Sequence, residues 1–195
     1  VDTLDSGEAF MVMELLDGAD LATLLEQKGR LGVTSAVDAI VQACAALDEA
    51  HGLGIIHRDL KPANLFSTVA RDGSVLIKVV DFGISKNSGD DESKVKTDTN
   101  AAMGSALYMS PEQMMSPKGV DLRTDVYSLG VTLFELLTGD APFHAETVQA
   151  LCVEVLQGKP ASLATTRPDL PAGLVTVVER AFARRRDERY GSARE

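Results

Sequence analysis

The residues best suited to chemistry gather in one segment, His57-Arg58-Asp59-Leu60-Lys61-Pro62-Ala63-Asn64, and recur downstream in Asp81-Phe82-Gly83. The first segment falls between a long helix and a strand pair, and Asp81 follows Asp59 by twenty-two positions. Ser110-Pro111-Glu112 and Asp125-Val126-Tyr127-Ser128-Leu129-Gly130 follow in that order. Any one tripeptide arises by chance; four in order, each at the edge of an element, point to one composite site. Other chemistries find no footing. A hydrolase built on His57 and Asp59 would need a G-x-S-x-G elbow or an H-E-x-x-H pair, and the sequence has neither. Gly158-Lys159 is followed by Pro160 and lacks the upstream glycine of a phosphate-binding loop.

Positioning such groups takes a small sheet followed by many helices. Residues 9–15 read as a short apolar strand, broken at Asp17-Gly18. Asp20 then caps a brief helix through Leu25, closed at Lys28-Gly29. From Ser35 the apolar Val37, Ile40, Val41, Cys44 and Leu47 recur at helical spacing, with Asp38 completing an S-x-x-D capping box, and this helix ends near His51-Gly52. Leu65-Phe66 and residues 75–80 are strands joined across Arg71-Asp72-Gly73. Residues 87–100 are polar and aperiodic, which predicts a mobile loop. Residues 126–137 are apolar nearly all round, a buried helix stopped by Gly139. Helices near 145–157 and 174–184 flank a loop at 160–171.

The composition sets the class. The 195 residues carry 19 Lys and Arg against 29 Asp and Glu, a net charge of −10, and 45% are hydrophobic, the balance of an ordinary globular domain. That charge argues against a nucleic-acid binder, and Arg184 to Arg186 with Arg189 form too short a basic stretch to reverse it. No charge-free apolar window is long enough for a membrane span, and the first residues lack the features of a signal peptide. Cys44 and Cys152 lie far apart and suggest neither a disulfide framework nor a zinc site, so a reducing cytoplasm is the expected setting.

The ordered motifs resemble the catalytic domain of serine/threonine protein kinases of the bacterial, eukaryotic-like type, from about Glu8 to the end of the chain. The resemblance implies an α+β, protein-kinase-like fold, mainly the helical large lobe with a remnant of the small-lobe sheet. Residues 1–16 would be the end of the small lobe and the hinge. Residues 17–195 would be the large lobe, with the catalytic loop at 57–66 and the activation segment at 81–112. The implied activity is transfer of the γ-phosphoryl group of ATP, with Mg2+, to Ser and Thr hydroxyls of protein substrates.

The resemblance also assigns residues. Asp59 would accept or orient the proton of the substrate hydroxyl, and Lys61 would sit by the transferring phosphate, as in the serine/threonine rather than the tyrosine class. Asn64 and Asp81 would hold Mg2+, and Ser105 would tie Asp59 to Lys61. His57 would pack beneath Phe82. Met13 resembles the gatekeeper; Glu14 and Leu16 would offer backbone groups to adenine, and Phe66 would lie on its face. Asp20 would reach the ribose or a basic substrate residue. Arg58 implies switching by phosphorylation, for which Thr97 and Thr99 are the candidate sites. Glu112 would form a buried ion pair with Arg189, unless that arginine is one more surface charge. Asp125 would anchor the catalytic-loop backbone, cap its helix, or both. Ala106 stands where proline is frequent, and Ala63 stands where kinases preferring basic substrates often carry Glu, so strong basic selectivity is not implied.

Three parts of the family pattern do not occur in the sequence: the G-x-G-x-x-G loop, the V-A-I-K lysine and the helix glutamate that holds that lysine. The resemblance therefore predicts a chain that starts within the end of the small lobe. Alone, it would bind ATP–Mg weakly, transfer phosphate negligibly and self-associate through its activation loop or its exposed inter-lobe face. The alternative is a catalytically inactive kinase-like fragment or pseudokinase acting as a binding module.

Overall fold

A helix that is apolar all round has to be surrounded by the rest of the chain, and the run at 126–137 organises the fold accordingly. The structure is a computed structural model that describes residues 2–4, 6–10, 12–82, 99–116 and 119–195, without the side chains of residues 9 and 99–102. In chain order it runs β1 (Asp2–Thr3), β2 (Ala9–Phe10), β3 (Gly18–Asp20), α1 (Leu21–Lys28), α2 (Val33–Gly52), β4 (Leu65–Val69) and β5 (Val75–Val79). Then come α3 (Thr99–Ala106), α4 (Pro111–Met115), α5 (Arg123–Thr138), α6 (Val148–Gln157), α7 (Leu163–Thr166) and α8 (Ala172–Ala181). The strands β1 and β2 form an antiparallel ribbon, and β3-β4-β5 form an antiparallel sheet. Helix α5 is buried along nearly its whole length and packs against α2 on one side and α8 on another.

Most of the expected elements form, and the differences have local causes. The strand expected at 9–15 stops at Phe10, because its only partner in the ribbon is the two-residue β1; Val12 is 83% and Leu15 98% exposed. Gly18 does not break the chain. It opens β3, where it faces Thr68, and a Cβ there would lie 2.0 Å from the Ser67 carbonyl oxygen, so only glycine allows the approach. Asp20 caps α1 as expected, accepting from the Thr23 backbone and hydroxyl at 2.9 and 2.8 Å. Helix α2 begins two residues before Ser35, with Gly32 as its N-cap, so no capping box forms at Ser35. The loop expected at 160–171 contains the short α7, whose residue Leu163 is buried in the core, and α8 begins at Ala172 rather than Leu174. Residues 87–98 of the loop expected at 87–100 lie outside the described residues, whereas 99 and 100 open α3.

The C-terminal end of α5 needs Gly139 for two independent reasons. Its φ of 86° lies in the left-handed region, where it closes the helix by donating to the Glu135 carbonyl at 2.7 Å. A Cβ at that position would also meet the Gly29 carbonyl oxygen at 2.1 Å, where the end of α1 crosses.

The other end of α5 is locked by Arg189, whose side chain is fully buried. Its Nη1 and Nη2 donate to the two Glu112 oxygens at 2.7 and 2.8 Å, a bidentate pair. The remaining donors reach the carbonyls of Ala183 (2.7 Å), Arg123 (3.1 Å) and Arg184 (3.1 Å), so all five guanidinium N–H groups are used. The plane also covers the Tyr127 ring, 4.9 Å from its centroid. The surface alternative for Arg189 is thereby excluded. Burial pushes the Glu112 carboxyl up, but the hydrogen bonds and charge of Arg189 outweigh it and hold the group below its ordinary value.

Gly139→Ala is expected to lower stability by at least about 1–2 kcal/mol, the cost of a left-handed alanine alone, read as a lower urea midpoint. Arg189→Ala should cost about 3–5 kcal/mol because it strands Glu112, and Arg189→Lys should recover little, since an ammonium cannot fill the fork. The stability gap between wild type and Glu112→Gln should be full above the ordinary glutamate value of 4.5 and close as the pH falls below it, when protonation removes the charge that Arg189 attracts.

Candidate active site

The residues of the loop at 57–66 are set by a carboxylate reaching in from α5. Asp125 lies in the first turn of α5 and is fully buried. Its Oδ2 accepts from the His57 backbone N–H (2.8 Å) and lies 2.8 Å from His51 Nε2, while Oδ1 accepts from the Arg58 N–H at 2.9 Å. Leu122 occupies the N-cap position and makes no side-chain cap, so Asp125 is not the N-cap; its carboxylate instead holds the His57 and Arg58 backbone. His57 is fully buried with its ring 4.7 Å from that of Phe82. Its Nε2 lies 3.0 Å from the Val80 carbonyl, which can only accept, and its Nδ1 accepts from the Asp59 N–H at 3.3 Å. That network assigns the neutral Nε2–H tautomer. Burial holds the imidazole below its ordinary value, against the pull of the Val80 carbonyl and of Asp125 and Asp59. Arg58 itself is left-handed, with φ 65°.

The loop then presents its polar groups on one side. Lys61 Nζ donates to Asp59 Oδ2 at 3.0 Å and to Ser105 Oγ at 2.8 Å, which joins the loop to the end of α3. Asn64 closes a one-turn 3₁₀ helix, Pro62–Asn64, and is buried; its Nδ2 donates to the Asp59 carbonyl at 2.7 Å and approaches Asp59 Oδ2 at 3.4 Å. That orientation turns the amide's acceptor, Oδ1, away from the Asp59 carbonyl. The Asn64 carbonyl accepts from the Val80 N–H at 3.0 Å, so the residue before Asp81 is tied to Asn64. Asp81 is exposed and left-handed, with φ 57°, a conformation that a non-glycine residue adopts at a cost when its surroundings dictate it. An amide oxygen and a carboxylate form a hard donor set that fits Mg2+, which takes its other ligands from water and phosphate.

The residues expected around a nucleotide base are spread along the small sheet. Asp20 and Phe66 face each other in the β3–β4 register. Both Asp20 oxygens are engaged by Thr23, so any further contact uses its remaining lone pairs. Met13 is 67% exposed and Leu16 is half-buried on the irregular stretch before β3. The Glu14 side chain pairs with Lys78 on β5. Thr97 and Gly83 lie outside the described residues; Thr99 is the first residue of α3, and its side chain is not among those described.

Several contributors were not apparent from the sequence. His51, read only as a helix end, is a partner of Asp125 across 74 positions of chain. Tyr108 donates to Glu135 at 2.6 Å and its carbonyl accepts from Ser128 at 2.8 Å, which fastens the segment after Ser105 to α5; burial pushes the Glu135 carboxyl up, partly offset by the Tyr108 bond. Gln113 completes a capping box with Ser110, a pattern legible in S-P-E-Q as S-x-x-Q.

Comparison with known proteins gives one consistent result. Residues 3–193 match the family model of the protein kinase domain. The chain is 38% identical over 203 aligned positions to the serine/threonine-protein kinase PknB of Mycolicibacterium smegmatis, and the match covers all of this chain and 32% of that protein. A probable serine/threonine-protein kinase of Clostridium acetobutylicum, CA_C1728, is 36% identical over 191 positions, covering 98% of this chain and 28% of its own length. The chain thus spans about a third of the length of the curated relatives it matches. The crystal structure of the Mycobacterium tuberculosis PknI kinase domain superposes with a TM-score of 0.67 at 29% identity, over 93% of this chain and 61% of that one. Matched along nearly its whole length in sequence and in α+β fold, the chain belongs to the protein kinase domain family.

Proposed function

We propose that the chain carries the substrate-orienting and metal-binding part of a serine/threonine protein kinase, which transfers the γ-phosphoryl group of ATP to Ser or Thr hydroxyls of proteins. The observation that supports this best is the Lys61 ammonium held between Asp59 Oδ2 and Ser105 Oγ at 3.0 and 2.8 Å. Phosphoryl transfer asks for alignment and charge neutralisation more than covalent chemistry. Asp59 accepts the hydrogen bond of the substrate hydroxyl and turns its lone pair toward the phosphorus. Lys61 supplies positive charge beside the developing phosphoryl oxygens and is kept in place by Ser105. Asn64 Oδ1 and the Asp81 carboxylate would hold Mg2+, which when bound neutralises phosphate oxygens. Met13, Glu14, Leu16, Asp20 and Phe66 form the nucleotide side of the site. Thr97 and Thr99 are regulatory phosphosites read through Arg58.

In this reading residues 1–16 are the end of the small lobe and the hinge, and residues 17–195 are the large lobe. The protein acts in the cytoplasm on protein substrates. No helix among the described residues is long and apolar enough to cross a membrane, and both cysteines are free thiols. The inactive binding-module reading rests on one observation, that these 195 residues contain neither G-x-G-x-x-G nor V-A-I-K.

Asp59→Asn in the full protein should cut transfer from γ-labelled ATP to a Ser/Thr peptide by about 10²–10⁴-fold. Transfer at the wild-type rate by that variant rejects the assignment, and saturable peptide binding by an inert wild type favours the binding module. Met13 and Leu15 are exposed at 67% and 98%, so the isolated chain should self-associate as its concentration rises. Sedimentation velocity should show that association, weakened in the Met13→Asp, Leu15→Asp double variant; a monomer at all concentrations excludes it.

A further inference from the structure

Gln113 belongs to the helix cap of α4, yet its amide does more than cap. Its Oε1 accepts from the Ser110 N–H at 3.0 Å and from Ser110 Oγ at 3.2 Å. A backbone N–H can only donate, so the oxygen must face Ser110 and the amide NH2 must face the other way. On that side Nε2 donates to the Arg58 carbonyl at 2.9 Å, 55 positions away in sequence. The Arg58 carbonyl and the Asp59 N–H belong to one peptide unit, and that N–H is held by His57 Nδ1 at 3.3 Å. Both ends of the unit are therefore tied, one from α4 and one from inside the loop. The unit follows a left-handed, non-glycine residue, so it stores backbone strain and needs holding. Its support is rigid. Ser110 is fully buried and bonded to Thr124, and Glu112 next to Gln113 is clamped by Arg189.

We propose that Gln113 is a positioning residue: its amide holds the strained Arg58–Asp59 peptide unit and thereby sets where the Asp59 carboxylate stands. The consequence for turnover rests on the kinase reading above; the grip on the backbone does not. Two variants separate the grip from the cap. Gln113→Glu keeps an acceptor for Ser110, as in an S-x-x-E capping box, but has no proton to give the Arg58 carbonyl. Gln113→Met keeps the length and loses both functions.

The full chain and both variants would be compared by amide hydrogen exchange, by urea unfolding and by peptide phosphorylation in the full protein. Exchange of the Asp59 amide is expected to speed up by about tenfold in both variants, the scale of one lost hydrogen bond. The Gln113→Glu unfolding midpoint should stay near wild type, and kcat should drop by about tenfold with the KM values for ATP and peptide unchanged. Wild-type exchange at Asp59 in both variants overturns the grip, whatever the activity. Faster exchange with unchanged kcat overturns the positioning role. If the wild type itself transfers no phosphate, the kinase reading fails on its own, and the exchange at Asp59 still decides whether Gln113 holds the peptide unit.

Discussion

One buried carboxylate organises the loop that carries Asp59, Lys61 and Asn64. Asp125 is fully removed from water, and a group of that kind is tolerated only where donors replace its hydration. It meets the backbone N–H groups of His57 and Arg58 and the imidazole of His51. The benefit runs in both directions. A loop threaded through the interior has N–H groups that must find acceptors, and Asp125 supplies them without a strand or helix being present. Because it projects from the most deeply buried helix of the fold, the loop inherits the rigidity of the core.

The rest of the site hangs from that attachment. With Nδ1 accepting from the Asp59 N–H and Nε2 facing a carbonyl, His57 links the Val80 carbonyl before Asp81 to the Asp59 backbone. Just before β4 and just after β5, the Val80 N–H donates to the Asn64 carbonyl and ties the residue before Asp81 to Asn64. Lys61 then ties the loop to Ser105, while Tyr108 and Ser128 tie the following segment to α5. Two left-handed non-glycine residues, Arg58 and Asp81, sit at the two turns where polar groups must be presented. Strain is tolerated where hydrogen bonds from several elements over-determine the backbone.

Much of this was legible in the sequence. The apolar run at 126–137 and Gly139 foretold a buried helix and its stop, and the motif order foretold the family. Elements misread were those whose fate depended on a partner. A strand from 9 to 15 was plausible by pattern, but a strand is stabilised by its neighbours, and the ribbon offers two residues. Gly18 looked like a break because glycine is a poor strand residue, yet the backbone of Ser67 comes so close that nothing larger fits. The Glu112–Arg189 pair was expected from the resemblance, whereas the three backbone carbonyls that take up the remaining Arg189 donors had no signature in the sequence.

The sequence by itself determined the residue types and their order: an aspartate with a lysine two places on, two hard oxygen donors, and a helix that had to be buried. Those are local properties, set by composition and by the period of the apolar pattern. Tertiary structure alone decided which groups meet. His51 reaches Asp125 and Gln113 reaches the Arg58 carbonyl across tens of residues. Such pairings leave no periodic trace in the chain, because each satisfies a donor or a charge that becomes costly only once folding has removed the water around it.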